Sequence, residues 1–336
     1  MNQAIAENVK IDWDGLAERA INKEKISRIE ALAILETNDL ELLSIINSAW
    51  KVRHHYFGKK VRLNMLMNAK SGHCPEDCGY CSQSKDSTAP IEKYTMLDKD
   101  TLVAGAREAC KRKAGTYCIV CSGRGPTPNT IDAVVEAVKE IKGEMNLQIC
   151  ACLGLLKEGQ AEALKEAGVD RYNHNINTSE NHHEEVVKTH SYQNRVDTIE
   201  SSKSAGISPC SGVIIGMGES HDDIVDMAYA LRELDADSIP VNFLNSIDGT
   251  PMEGIEAKSP QFYLKVLALF RFICPDKEIR CSAGREIHLG NLQPMSLYIA
   301  NSIFAGDYLT TSGQDVEADH KMIADLGLEI DFPEQS

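Results

Sequence analysis

The pattern that decides the fold of this chain lies in residues 116–153, TYCIVCSGRGPTPNTIDAVVEAVKEIKGEMNLQICACL. Two short apolar runs, 116–122 and 147–153, flank an amphipathic stretch at 130–142. Neighbouring parallel strands need a crossover of about a dozen or more residues, which is usually a helix. The stretch therefore predicts a strand–helix–strand unit with parallel strands.

The same alternation continues along most of the chain. After about residue 57, eight short apolar runs alternate with helical stretches of about ten to fifteen residues. Strand followed by helix, repeated eight times, is typical of a (β/α)8 TIM-type barrel. We therefore predict an α/β fold of this type, with strands at 61–67, 116–122, 147–153, 171–177, 209–216, 238–244, 278–282 and 301–306.

The remaining segments are short. Apolar residues recur at three-residue steps within 1–57, which predicts an N-terminal helical extension packing on the barrel. The barrel itself is expected at 58–328, followed by a C-terminal tail at 329–336. No Pro- or Gly-rich linker divides the chain.

Composition argues against several classes of protein. The 336 residues carry a formal net charge of −15, whereas nucleic-acid-binding proteins usually present a basic face. No early stretch resembles a signal peptide, and no window has the run of roughly 18 apolar residues that a membrane helix needs. We expect a cytoplasmic protein that binds neither nucleic acid nor a membrane. In that compartment its 11 cysteines would be metal ligands, catalytic groups or packing residues rather than disulfides.

Three of these cysteines lie close together in SGHCPEDCGYCSQ, residues 71–83, as Cys74, Cys78 and Cys81. The loop follows the first predicted strand, at the end of the barrel where active sites of this fold are built. Spacings of three and two residues allow one loop to supply three ligands to an iron–sulfur cluster and to leave one iron open. A zinc site with His73 as fourth ligand, or three incidental thiols, are the alternatives.

With its aromatic residue before the last cysteine, this CxxxCxxC loop resembles that of the radical S-adenosylmethionine (SAM) enzymes. The resemblance implies a [4Fe-4S] cluster held by Cys74, Cys78 and Cys81, with SAM chelated at the open iron. An electron from the cluster would then cleave SAM to a 5′-deoxyadenosyl radical. By the same resemblance, Tyr80 lies beside the adenine of SAM.

Four further stretches narrow the resemblance. They resemble stretches that occur in the same order in the biotin synthases, and the likeness runs from about residue 45 to 328. The four stretches are YCIVCSGRGP (117–126), YNHNINTS (172–179), SPCSGVIIGMGES (208–220) and IRCSAGRE (279–286). The resemblance implies radical insertion of sulfur into dethiobiotin to form biotin, the last step of biotin biosynthesis. It also implies a flavodoxin- or ferredoxin-type electron donor, iron–sulfur assembly proteins as partners, and a homodimer.

A second metal site is predicted deeper in the barrel. Cys118, Cys150, Cys210 and Arg280 lie on four different predicted strands, and alternate side chains of a closed barrel point inward. An inward guanidinium needs a partner, and an anionic cluster is one. The resemblance implies that these residues hold a [2Fe-2S] cluster that donates the sulfur. Small core hydrophobic residues are the alternative for the thiols.

The other cysteines leave the type of this second cluster open. Cys152 has the parity of Cys150 and could approach the same cluster, whereas Cys121 and Cys281 are predicted to face outward. Cys110 and Cys274 fall on helical stretches and are predicted to be packing residues.

Polar residues that would contact the two small molecules follow from the resemblance. Asn175 is expected to contact SAM and dethiobiotin, and Asn177, where many relatives carry Asp, the ribose of SAM. Asn173, Asn175 and Asn177 alternate, so a regular strand would place all three amides on one face. Arg195 is expected near the SAM carboxylate, with an exposed helical ion pair as the alternative.

Three more residues are expected to hold dethiobiotin. By resemblance, Asn242 holds its ureido ring, and Thr310 and Thr311 receive its carboxylate, with helix capping as the alternative role for the two threonines. Two other functions remain open from the residues alone. They are a different radical SAM sulfur-inserting or maturation enzyme, and a zinc-stabilised scaffold barrel without catalysis.

Overall fold

The computed structural model describes residues 11–334, and its central feature is a closed barrel of parallel strands. The strands follow one another around the barrel in chain order, and the last pairs with the first to close it. Two short strands share the fifth of eight positions, so the predicted TIM-type barrel is confirmed. The strands are β1 Lys60–Lys70, β2 Thr116–Cys121, β3 Gln148–Cys152, β4 Arg171–Asn173, β5 Ser208–Cys210, β6 Val213–Ile215, β7 Ser238–Phe243, β8 Glu278–Cys281 and β9 Ser302–Phe304, with β10 Glu329–Ile330 outside the barrel.

Helices fill the predicted connections. The crossover between β2 and β3 begins at Thr127, whose side chain accepts a hydrogen bond from the Thr130 amide, and Pro128 occupies the first turn, where a missing N–H costs nothing. The helices are α1 Trp13–Ile21, α2 Arg28–Glu36, α3 Leu42–Phe57, α4 Lys99–Lys111, α5 Pro128–Glu144, α6 Gln160–Ala167, α7 His183–Val186, α8 Tyr192–Ser204, α9 His221–Glu233, α10 Pro260–Ile273, α11 Arg285–Leu289 and α12 Val316–Asp325, with 3₁₀ turns at Asp39–Glu41 and Gly290–Tyr298.

The N-terminal helices α1 to α3 lie against the barrel. Arg53 of α3 is fully buried and donates hydrogen bonds to the carbonyl oxygens of Ala300 and Lys60. Lys265 of α10 donates to the Thr37 carbonyl oxygen, just after α2. Of the segment predicted to be helical, residues 1–10 lie outside the described residues.

The segment expected to be a C-terminal tail contains a short strand. In β10, Glu329 and Ile330 pair in parallel with Lys60 and Val61 of β1. Residues 335–336 lie outside the described part of the chain. Between residues 11 and 334, no helix has both the length and the apolar character needed to cross a bilayer.

Two predicted strands are interrupted near the site. The strand expected at 171–177 ends at Asn173, and Asn177 has a φ of 67°, in the left-handed region, which a regular strand does not allow. The strand expected at 209–216 breaks between Cys210 and Val213. At the break, a Cβ on Gly212 would lie 1.9 Å from the Pro240 carbonyl oxygen, so only glycine allows this close approach.

Alternation along the strands separates an outer core from the barrel interior. Tyr117 and Ile119 of β2 are 0% exposed and pack in the main core between the strands and helices. The intervening Cys118 points to the opposite side and packs with Cys150 of the adjacent strand. The interior therefore receives a set of side chains separate from the main core.

Candidate active site

A cavity of about 390 Å³ lies at the carboxyl ends of the barrel strands. Loops after most of the strands contribute to its wall, as expected for an active site of this fold. Of the predicted site residues, it is lined by Cys74, Cys78, Tyr80, Cys81, Cys118, Cys150, Asn175, Asn177, Arg195, Asn242, Arg280, Thr310 and Thr311. The remaining one, Cys210, packs directly against Cys118 and Cys150 below the cavity.

The three-cysteine loop is a tight turn at the mouth of this cavity. The Cys81 amide donates to the Cys78 carbonyl oxygen at 3.1 Å, and the Ser84 amide donates to the Cys81 carbonyl oxygen at 3.1 Å. Burial raises the pKa of Cys81 to about 12. Burial also raises the pKa of Cys78, although the nearby Arg195 opposes the shift. Binding of a metal would therefore displace protons from these thiols.

Acidic residues inside the loop fasten it to the segment after α7. Glu76 is 5% exposed and accepts hydrogen bonds from Thr189 Oγ1 at 2.7 Å and from His190 Nδ1. Asp77 accepts from the Lys188 and Thr189 amides at 3.0 and 3.1 Å. Burial alone would raise the pKa of Glu76, but Thr189, His190 and Arg124 together lower it. Sequence reasoning missed this attachment; its signal was the acidic pair inside CPEDC.

Tyr80, Asn177 and Arg195 converge on one side of the cavity. The side-chain oxygen of Asn177, turned toward the other two residues, accepts hydrogen bonds from Tyr80 Oη at 2.6 Å and from the Arg195 guanidinium at 3.2 and 3.3 Å. Arg195 Nη1 also donates to the Asn175 carbonyl oxygen at 2.9 Å. Arg195 is only 5% exposed, so the alternative of an exposed helical ion pair is wrong. Its Nε has no partner within residues 11–334, which suits an anionic ligand.

Asn173, at the end of β4, and the two asparagines that follow it lie close together, but not through strand alternation. Asn173 Nδ2 donates to Asn175 Oδ1 at 3.0 Å and approaches Cys210 Sγ at 3.3 Å. Asn175 Oδ1 also accepts from the Gly212 amide at 3.0 Å. All three asparagines line the cavity, but the predicted regular strand is wrong as the reason, because β4 ends at Asn173.

Asn242 and the two threonines lie elsewhere on the cavity wall. Asn242 Nδ2 donates to the Val213 carbonyl oxygen at 2.9 Å, which fixes the orientation of the amide. Thr310 Oγ1 lies 2.8 Å from Ser82 Oγ, so the loop after β9 contacts the three-cysteine loop. The cap of the following helix α12 is Asp315, so the alternative that Thr310 and Thr311 cap a helix is wrong.

Cys118, Cys150 and Cys210 form a separate buried cluster at the bottom of the cavity, each at most 4% exposed. The neighbouring thiol of Cys118 is the main reason that the pKa of Cys150 is raised well above its usual value. The pKa of Cys210 is also raised, by Cys150 and by burial, while Arg280 opposes the shift. The structure thus groups these three thiols near a guanidinium and apart from the main core.

Arg280 has a protein partner that the sequence did not reveal. Its Nη2 donates to Glu278 Oε1 at 2.8 Å and to Ser238 Oγ at 2.9 Å, and its Nε donates to Ser302 Oγ at 3.3 Å. The guanidinium also lies 4.9 Å from the centre of the Phe304 ring. Arg280 therefore has a protein counter-ion, Glu278, whether or not a cluster is bound.

Glu278 is shared among several cations at the base of the barrel. Its Oε2 accepts from Arg171 Nη1 at 2.6 Å and from Arg62 Nη1 at 3.2 Å. Burial alone would raise the pKa of Glu278, but Arg171, Arg280 and Arg62 together lower it well below its usual value. One carboxylate thus faces three guanidinium groups. Asp331 also pairs with Arg62, so the excess positive charge belongs to Arg171 and Arg280, which share Glu278 beside the deep thiols.

The other cysteines are divided between the cavity and the core. Cys152 lines the cavity, and burial raises its pKa to about 12. Cys281 lies in the outer core as predicted. Cys121 belongs to the same core with its Sγ 3.6 Å from Met96 Sδ, but it also reaches the cavity wall.

The described residues give no support to the zinc alternative. Between residues 11 and 334, no three His, Cys, Asp or Glu side chains are grouped as they would be around a single metal ion. In a cluster the thiolates bind different iron atoms and need not meet at one point. His73, the fourth ligand in the zinc alternative, is exposed.

A barrel with a three-cysteine loop after its first strand defines a class of enzymes. Residues 70–231 match the model of the Radical SAM superfamily, and the chain is a radical SAM enzyme. Residues 240–329 match the Biotin and Thiamin Synthesis associated domain.

Full-length relatives narrow the class. The chain is 61% identical over 320 residues to the biotin synthase of Lysinibacillus sphaericus, covering 95% of this chain and 97% of the relative. It is 59% identical over 325 residues to the biotin synthase of Halalkalibacterium halodurans, covering 97% of this chain and 98% of the relative. The chain therefore belongs to the biotin synthase family.

Solved structures support the fold. Methylornithine synthase (PylB) superposes with a TM-score of 0.80 at 19% identity, covering 94% of this chain and 97% of its own. The FeFe-hydrogenase maturase HydG from Carboxydothermus hydrogenoformans also superposes with a TM-score of 0.80 at 17% identity, covering 96% of this chain and 80% of its own.

Proposed function

We propose that this chain inserts sulfur into dethiobiotin to form biotin, the last step of biotin biosynthesis. The observation that carries the proposal is a single cavity with two separate thiol groups, the three-cysteine loop at its mouth and the Cys118, Cys150 and Cys210 group beneath. One thiol group can serve radical generation and the other sulfur supply, on opposite sides of a substrate.

The upper part of the cavity is proposed to bind SAM and a [4Fe-4S] cluster. Cys74, Cys78 and Cys81 would hold the cluster, which when bound supplies the electron for cleavage of SAM. Arg195 lines the cavity, and its buried Nε has no partner in the described part of the chain, which suits the SAM carboxylate. Tyr80, Asn175 and Asn177 stand next to it and would hold the nucleoside and amino acid portions.

The lower group is proposed to hold a [2Fe-2S] cluster through Cys118, Cys150, Cys210 and Arg280, with the sulfur for biotin coming from that cluster. The excess positive charge beside these thiols favours an anionic occupant. Cys152 lines the same cavity, and burial raises its pKa to about 12, but it does not belong to the packed group of Cys118, Cys150 and Cys210.

Dethiobiotin is proposed to lie between the two clusters. Asn242 and Asn175 would contact its ureido ring with amides whose orientation the backbone already fixes. Thr310 and Thr311 would donate to its carboxylate at the rim of the cavity. The closed barrel wall would exclude water around the reacting carbons.

Partners and location are proposed from family membership. They are a flavodoxin- or ferredoxin-type electron donor, iron–sulfur assembly proteins, a homodimeric state and a cytoplasmic location. Pull-down of a low-potential electron carrier from its own cell extract, and the mass of the reconstituted protein in solution, would test these assignments.

An anaerobic turnover assay tests the reaction. Reconstituted protein would be mixed with dethiobiotin, SAM and a low-potential reductant, and scored for biotin and 5′-deoxyadenosine. We expect both products together. Formation of 5′-deoxyadenosine without biotin, from protein in which both clusters are present, would favour another radical SAM reaction. A colourless zinc protein without acid-labile sulfide after reconstitution would instead support the scaffold alternative.

A further inference from the structure

We infer that Glu278 is a positioning residue that orients the guanidinium of Arg280 toward the deep thiols and sets the charge around them. The inference rests on the proposed lower cluster. Glu278 and Arg280 are two residues apart on β8, so both side chains point into the barrel.

Geometry supports the orienting role. Glu278 and Ser238 both hold Nη2 of Arg280, and Ser302 holds its Nε. Nη1 is thereby left as the nitrogen with no hydrogen-bond partner in the described part of the chain, and Arg280 is on the cavity wall beside the deep thiols. The side chain reaches this position because its other nitrogens are already held. Partners of this kind orient a ligand before the metal binds.

Charge supports the second role. Glu278 uses both carboxylate oxygens, one for Arg280 and the other for Arg171 and Arg62. Without its charge, two almost fully buried guanidinium groups would face each other with no anion between them. Removal of one partner from a buried network is far more disruptive than removal of an exposed one. The carboxylate therefore permits positive residues to be concentrated next to the thiols.

A direct consequence concerns the electronic properties of the lower cluster. The reduction potential of an iron–sulfur cluster depends on local charge and hydrogen bonds. Replacing the negative carboxylate by a neutral amide would make the surroundings more positive and favour the reduced cluster. We therefore expect Glu278→Gln to raise its potential, which a role in packing alone would not do.

Glu278→Gln in the full-length, reconstituted protein provides the test. We expect the lower cluster to be lost to an iron chelator about 10- to 100-fold more readily than in the unaltered protein. The reduction potential of the lower cluster should rise. The iron content of the three-cysteine loop should stay unchanged, and so should the cleavage of SAM that occurs without biotin formation. Asp331→Asn is the matched control, because Asp331 pairs with Arg62 but does not contact Arg280. It should behave as the unaltered protein does.

The outcomes separate this inference from the proposed function. If the unaltered protein binds only one cluster, the proposed lower site is wrong. If it binds two, and Glu278→Gln retains the second with unchanged potential, the positioning role is wrong. Should that variant not fold, Glu278→Asp keeps the charge on a shorter side chain. This variant should release the lower cluster more readily, with the reduction potential of the cluster unchanged. If it retained the cluster as well as the unaltered protein does, the inference would be wrong.

Discussion

Thr189 Oγ1 donates a hydrogen bond of 2.7 Å to Glu76, and so joins the segment after α7 to the three-cysteine loop after β1. The same hydroxyl lies 2.9 Å from Asp77 Oδ1. Because Glu76 and Asp77 stand between Cys74 and Cys78, this contact fixes the spacing of the thiols before any metal arrives.

Thr189→Val tests this attachment. Valine fills the same space but removes the hydroxyl donor from the buried Glu76 carboxylate, which costs about 1–3 kcal/mol of unfolding free energy. We also expect faster release of iron from the loop under chelator. Denaturant unfolding and iron release measure the two effects. Thr88→Val is the control, since Thr88 is exposed and its hydroxyl makes one hydrogen bond of 3.3 Å. Equal effects in the two variants would remove the special role of Thr189.

How much of these sites could be predicted from the sequence depends on how far apart along the chain the contacting residues lie. Period-two alternation was enough to place Cys118, Cys150 and Arg280 inside the barrel, since each face of a strand is determined by neighbours in sequence. The Glu76–Thr189 contact joins residues 113 positions apart, and no local pattern encodes such a pairing. The break near Gly212 likewise depends on its contact with the next strand.

Cys78→Ala tests the role of the three-cysteine loop. Three thiolates are the minimum that the loop offers to a cluster with one open iron, so two cannot hold it in the same way. We expect cleavage of SAM to be abolished while the absorption of the lower cluster persists. Cys110→Ala, at a helical thiol outside the cavity, should retain cleavage. Retained cleavage in Cys78→Ala would remove this loop from the reaction.

Cys210→Ala makes the reciprocal change. Cys210 packs against Cys118 and Cys150 at the base of the cavity, away from the three-cysteine loop. We expect iron and acid-labile sulfide of the lower cluster to fall and biotin formation to be lost, whereas some cleavage of SAM continues. Metal analysis and product assays on the same sample measure both. Unchanged iron and sulfide would show that the deep site is misassigned.

Arg195→Lys tests the proposed anion site. Lysine keeps the charge but cannot contact Asn175 and Asn177 together as the planar guanidinium does. Loss of a charge-assisted hydrogen bond costs about 1.5–3 kcal/mol, so we expect SAM to bind about 10- to 100-fold more weakly. Calorimetric titration of cluster-loaded protein measures this change. Lys188→Arg, at an exposed site outside the cavity, is the control, and an unchanged Kd in Arg195→Lys would place the carboxylate elsewhere.

A buried ion pair supports the loop that carries the two threonines. Arg285 Nη2 contacts both Asp319 oxygens at 2.8 Å, and both side chains are 0% exposed. The adjacent Glu286 accepts from Tyr308 Oη at 3.0 Å, which ties the loop after β9 to the same point.

Asp319→Asn should therefore destabilise the protein by about 3–5 kcal/mol, because the buried Arg285 would lose the carboxylate that it contacts through both oxygens and keep only Glu286, 3.3 Å away. It should also weaken dethiobiotin binding, since the Tyr308 loop carries Thr310. Denaturant unfolding and ligand titration measure the two effects. Asp325→Asn on the same helix breaks an exposed pair with Lys321 and should change stability by only about 0–1 kcal/mol. If the two variants unfold alike, water reaches Arg285 and the pair does not hold the loop in place.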